Sequence, residues 1–188
     1  MAVERQTFFD IMASFPSGVA IVTTLTQAGE PRGLTSTAVA SVSAHPPLIL
    51  VCVDLSSRTL GALRERGRFA VNFIRQGRSE LCLLFASKAD DKFRRLVWRP
   101  SATGLPLLHE DALAWAECET VREVAAGDHV ILLGRVDAGE AQRDAEAPLM
   151  YYRRSWGVWT PAQERGPAEE LPPLEVSGRD LRWTDADA

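Results

Sequence analysis

Gly33-Leu34-Thr35-Ser36-Thr37-Ala38-Val39-Ala40-Ser41-Val42-Ser43 reads as one long β-strand, with hydroxyls crowded where apolar residues would normally alternate. Alternation puts Thr35, Thr37, Val39 and Ser41 on one face, and Leu34, Ser36, Ala38, Ala40 and Val42 on the other. Upstream, Val19 to Thr26 is β-branched, and Gln27-Ala28-Gly29-Glu30 supplies a turn, so the two strands form a hairpin. Downstream, His45-Pro46-Pro47 breaks the chain. Leu48 to Val53 is then a continuous apolar run, the pattern of a strand buried on both faces. Ser56-Ser57-Arg58-Thr59 opens a helix with Leu60 and Leu63 inward, and Gly67 ends it. Phe69, Val71 and Phe73 alternate with Ala70 and Asn72 as a strand. Residues 78–86 form another helix, and residues 87–111 are mostly irregular. Further strands run from Ala112 to Val121, with small residues on one face, and from His129 to Val136. At the start, Phe8, Ile11, Met12 and Phe15 recur at helical spacing over residues 4–15. Six or so strands with short helices make a mainly-β protein, and a closed or split barrel leaves it few open edges. No GxGxxG follows a strand, so a Rossmann site is not supported.

The totals exclude several classes. The 188 residues suit one domain, or one domain with an arm. With 46% apolar and 24% charged residues, the chain has material for a core and an ordinary soluble balance. From Pro161 onward there are seven acids and three arginines, so this Pro-rich tail alone accounts for the net charge of -4. We therefore expect a domain over residues 1–160 and an acidic, Pro-rich C-terminal extension over 161–188. No basic stripe calls for nucleic acid, and no run approaches the ~18 apolar residues of a membrane span. Cys52, Cys82 and Cys118 are odd in number and lack a CxxC. That predicts a reduced, cytoplasmic protein without disulfides, as does the absence of an apolar leader after Met1. The three dispersed histidines make no metal site.

Three segments carry chemistry. In the 33–43 strand, small residues let a flat ring approach the backbone, and hydroxyls and amides can bond the edge of a flavin. The alternative is an ordinary half-exposed Thr/Ser strand. At Asp54-Leu55-Ser56-Ser57-Arg58-Thr59, a helix N-terminus offers free N–H groups, hydroxyls and a cation, which suits a phosphate. The alternative is that Ser56 merely caps the helix. At Gly127-Asp128-His129, a histidine at a strand mouth can contact a nicotinamide cofactor or donate a proton. The alternative there is a turn histidine bonded to its neighbours. Cys52 lies in an apolar strand and reads as packing rather than as a nucleophile.

Taken in order, the segments resemble the short-chain flavin reductase family, FMN-binding split β-barrels that often serve two-component monooxygenases. The resemblance rests on Phe15-Pro16-Ser17-Gly18-Val19-Ala20-Ile21-Val22-Thr23-Thr24, the 33–43 strand, Pro46-Pro47 through Asp54, Ser56-Ser57-Arg58-Thr59, Phe69-Ala70-Val71-Asn72, Gly127-Asp128-His129 and Pro148-Leu149-Met150-Tyr151-Tyr152. It covers roughly residues 5–160, while the 87–104 segment follows the pattern only loosely. The resemblance implies that Thr35, Ser36, Thr37 and Ala38 line the isoalloxazine edge, with Ser41 nearby. Cys52, Val53 and Asp54 would border the flavin, and Ser57, Arg58 and Thr59 would hold its phosphate. Phe85 would contact the ring or ribityl region, His129 would help seat NADH or NADPH, and Tyr152 would close the pocket. It also implies a homodimer with FMN or FAD at the subunit interface and a monooxygenase partner. The rival readings are a flavin-binding oxidase of the pyridoxamine-phosphate-oxidase-like superfamily and a non-enzymatic flavin-binding electron-transfer protein.

Overall fold

The structure is a computed structural model and describes residues 2–94, 96–142 and 147–160. In chain order, α1 (Arg5–Ala13) is followed by β1 (Ser17–Gly18), β2 (Ala20–Leu25), β3 (Pro31–Ser36), β4 (Val39–Ala44) and β5 (Pro47–Asp54). Next come α2 (Arg58–Arg66), β6 (Arg68–Ile74), α3 (Ser79–Ala86), β7 (Arg99–Pro100) and β8 (Pro106–Leu107). The long strands β9 (Ala112–Ala126) and β10 (His129–Ala141) precede β11 (Leu149–Tyr152) and β12 (Ser155–Val158). The protein is mainly β, as its sequence predicts. The expected tail over 161–188 lies outside the described residues.

Seven antiparallel strands form the main sheet, in the order β3-β2-β6-β9-β10-β5-β4. Its two outermost strands, β3 and β4, are consecutive in the chain and are joined only by Thr37 and Ala38. The sheet therefore curls until its edges meet at that corner, as a barrel split along one seam. The corner is fixed locally. Ser36 Oγ accepts from the Ala38 amide at 3.1 Å, and the Ala38 carbonyl accepts from the Cys52 amide at 3.0 Å. The single strand expected over 33–43 is thus two strands with a bend, because a serine hydroxyl two residues back competes with the ladder for the amide. The shared face proposed for Thr35 and Ser41 ends at this bend.

The barrel interior holds Ala20, Val22, Val51, Val53, Phe69, Val71, Cys118, Val130 and Leu132, and α2 plugs one end with Leu60 and Leu63. α2 forms here because Ser57 caps it, its Oγ accepting from the Thr59 amide at 3.3 Å, and Gly67 ends it in the left-handed region at φ 63°. Ser57, not Ser56, is the cap. Gly134 is required by close approach, since an added Cβ would lie 2.6 Å from Phe69 Cζ and 2.9 Å from Cys118 Cβ.

The expected burial of β5 on both faces fails within one chain. On β5 only Val51 and Val53 are buried, whereas Leu48, Leu50 and Cys52 are half-exposed. This strand has a core face and an open face, and the apolar run does not mean burial on both. Helix α1 buries none of its residues: Phe8 is 50% exposed, Ile11 57% and Met12 49%, and Phe15 just past it is 68% exposed.

Candidate functional site

A cleft of about 720 Å³ opens beside the β3–β4 corner. This lies within the range of small-molecule sites. Four stretches far apart in the chain build it. The β3 strand and the corner supply Gly33, Thr35, Ser36, Thr37 and Ala38. The end of β5 supplies Cys52 and Asp54, and the start of α2 supplies Ser57, Arg58 and Thr59. Phe85 comes from α3, and His129 from the mouth of β10. The ladder explains part of this convergence, because β5 and β10 are paired with His129 directly opposite Asp54.

The floor of the cleft is tightly packed. Phe85 is buried, and its ring meets Phe93 edge-on at 5.0 Å. A Cβ on Gly33 would lie 2.7 Å from Phe85 Cε1 and 3.1 Å from the Val22 carbonyl oxygen, so only glycine lets this ring lie against β3. Two threonines reach inward and brace the walls. Thr35 Oγ1 donates to the Cys82 carbonyl at 2.7 Å, and Thr59 Oγ1 donates to the Gly33 carbonyl at 3.1 Å. Their hydroxyl protons are therefore committed to the protein. Thr37, exposed at the bend, also lines the cleft.

One end of the cleft is cationic. Arg58 is at the first turn of α2, where the helix dipole adds partial positive charge. Lys92, which sequence reasoning missed, reaches in from the loop after α3. Its Nζ donates to the Phe85 carbonyl at 2.7 Å and the Gly33 carbonyl at 3.2 Å, tying α3 to β3. Burial, and then the neighbouring Arg58 charge, pull its pKa below the ordinary lysine value. The available signal was compositional: the chain's two lysines, Lys88 and Lys92, both fall in this one loop.

At the other side, His129 Nδ1 lies 2.7 Å from Asp128 Oδ1. A carboxylate only accepts, so Nδ1 carries the proton and Nε2 is left for a ligand. Ser56 hydrogen bonds hold the Asp54 carboxyl below its usual range, and burial pushes the Cys52 thiol up, so Cys52 is a neutral wall residue.

Three expected site residues are not brought to this cleft within one chain. Val53 points into the barrel core, because alternation on β5 sends Cys52 to the open face instead. Ser41 sits beyond the bend, exposed on β4. Tyr152 is exposed on a separate three-stranded sheet, with the Arg153 guanidinium over its ring at 5.4 Å. Among the described residues no group of His, Cys, Asp and Glu could hold a metal ion.

Known proteins share this architecture and sequence. The flavin reductase like domain model matches residues 12–160. The chain is 48% identical over 163 residues to the flavin reductase (NADH) of Kitasatospora aureofaciens, covering 86% of this chain and 85% of that one. It is 41% identical over 152 residues to the flavin reductase (NADPH) of Lentzea aerocolonigenes, covering 80% and 88%. The solved nitrilotriacetate monooxygenase component B from Mycobacterium thermoresistibile superposes with a TM-score of 0.79 at 32% identity, over 89% of this chain and 96% of that one. With a match that spans the barrel and every wall of the cleft, the chain belongs to the flavin reductase-like family.

Proposed function

We propose that this protein is an NAD(P)H:flavin oxidoreductase that reduces FMN or FAD by hydride transfer and supplies the reduced flavin to a separate monooxygenase. The observation that carries this reading is the single cleft joining the β3–β4 corner, the cationic start of α2 and His129. The residues fit a phosphorylated flavin. Ala38 presents little bulk to a flat ring, and Thr37 and Ser36 offer hydroxyls to its edge. Arg58 and Ser57 offer charge-assisted and neutral donors to phosphate. When bound, flavin supplies a hydride acceptor, so the protein needs no nucleophile. Arg58 and Ser57 anchor one end of the cleft, Phe85 on Gly33 sets its floor, and His129 Nε2 orients the nicotinamide. Their contribution is to hold two rings in reacting contact.

The apolar face of α1 supports a homodimer, since exposed Phe8, Ile11, Met12 and Phe15 form the kind of patch a second copy covers. The three free cysteines support a reducing, cytoplasmic setting. No described helix is long and apolar enough to cross a membrane. The family match ending at residue 160 supports a domain boundary there, with 161–188 as an extension.

The direct test mixes pure protein with NADH or NADPH and FMN or FAD, and follows absorbance at 340 nm. Rapid nucleotide consumption is expected, and a flavin-loaded protein inert toward both nucleotides would refute the assignment. Replacing His129 with Ala should raise the KM for the nicotinamide nucleotide about three- to tenfold, the effect of losing one hydrogen bond. Flavin Kd should not change, and a KM equal to wild type would remove this role.

A further inference from the structure

The guanidinium assigned above to flavin phosphate already has a partner. Arg58 Nη1 donates to Asp90 Oδ1 at 2.6 Å and to the Lys88 carbonyl at 2.9 Å. Asp90 lines the same cleft, on the loop that carries Lys92. Both members of the pair are open to solvent, Arg58 at 61% and Asp90 at 88% of their side chains. A pair this exposed is weak and separates readily. The three charges share one neighbourhood: Arg58 depresses the Lys92 pKa, and Asp90 raises it.

We propose that Asp90 is a specificity-determining residue, a resident carboxylate that holds Arg58 in the free protein and competes with the phosphate of a phosphorylated flavin. This rests on the reading that the cleft binds flavin with its phosphate at Arg58. A terminal phosphate carries about -1.5 to -2 charge at neutral pH against -1 for a carboxylate, so it wins the guanidinium. A phosphate that takes Nη1 must still break the Arg58–Asp90 pair, and its release restores it. Asp90 therefore weakens binding of phosphorylated flavins while leaving the unphosphorylated ring system untouched. It favours departure of the product, which a reductase that feeds another enzyme requires. Lys92 is less free than Arg58 to serve a phosphate, because two of its three ammonium donors already meet backbone carbonyls.

The test is flavin titration of Asp90→Asn, Arg58→Gln and the double variant, using FMN and riboflavin as paired probes. Asp90→Asn should bind FMN about three- to tenfold tighter, as expected for one exposed ion pair plus one removed like charge, with riboflavin unchanged. The gain should fall away at about 1 M salt, where screening acts within about 3 Å. It should also shrink at least by half in the Arg58→Gln background. An unchanged ratio of FMN to riboflavin affinity, weaker FMN binding, or an equal shift for both flavins overturns the proposal. So does a gain of full size without Arg58, which would make Asp90 a repelling charge and not a competitor. If Arg58→Gln keeps the FMN preference, the phosphate assignment itself fails and the proposal with it. If Arg58→Gln loses that preference while Asp90→Asn is inert, only the role of Asp90 fails.

Discussion

Arg58→Gln should bind FMN about ten- to a hundredfold more weakly than wild type, because charge-assisted hydrogen bonds to an anion are the stronger class. Riboflavin should bind both proteins equally. The contrast matters more than the loss, since it separates a phosphate contact from damage to the ring site. Arg58 is exposed and at the start of α2, whose cap is Ser57, so removing its charge leaves the helix start intact. Glutamine keeps the length and a neutral donor but cannot neutralise a dianion. The loss should be largest at low salt. Equal weakening for both flavins, read from fluorescence titration, would move the phosphate away from this end of the cleft.

Asn72→Leu should cost about 2–4 kcal/mol of folding stability, measured as a shift in urea midpoint at constant slope. Asn72 is fully buried on β6. Its Nδ2 donates to the Ile21 carbonyl at 3.0 Å and to Thr23 Oγ1 at 3.3 Å, while Oδ1 accepts from the Leu108 amide at 2.8 Å. Thr23 Oγ1 in turn donates to the Pro106 carbonyl at 2.6 Å. These bonds clamp the 105–108 segment onto the barrel. Leucine matches the volume but leaves the buried Leu108 amide without its side-chain acceptor, which is the expensive case. Leu108 packs in the same cluster as Phe85, so the loosening should also reach the cleft floor. A midpoint shift worth less than about 0.5 kcal/mol, the range of ordinary surface changes, would show that this clamp does not hold the segment.

Much of the scaffold was legible because its signals are local. β-Branched residues marked β2, the turn at 27–30 marked its hairpin with β3, and Gly67 marked the end of α2. The cleft was partly legible for the same reason: the helix start at Arg58 and the strand mouth at His129 announce themselves in sequence. What failed were properties set by distant chain. The corner at Thr37–Ala38 is held by the Ser36 hydroxyl and also by the Cys52 amide on the Ala38 carbonyl, and run composition does not record the second contact. The open face of β5 exists because none of the described residues buries Leu48 and Leu50. Lys92 acquires its place partly through a carbonyl 59 residues earlier. Periodicity identified an apolar face on α1 without indicating what covers it.

The four-part construction of the cleft ties its tenancy to the firmness of the whole chain. Residues 33–38, 52–59, 85–93 and 129 meet only in the completed fold, so a tenant that touches all of them acts as a stitch through otherwise separate cloth. Mass action then makes the filled protein harder to melt than the empty one, in proportion to the logarithm of tenant concentration. An enzyme that hands its flavin away is thus at its most fragile in the interval between one delivery and the next.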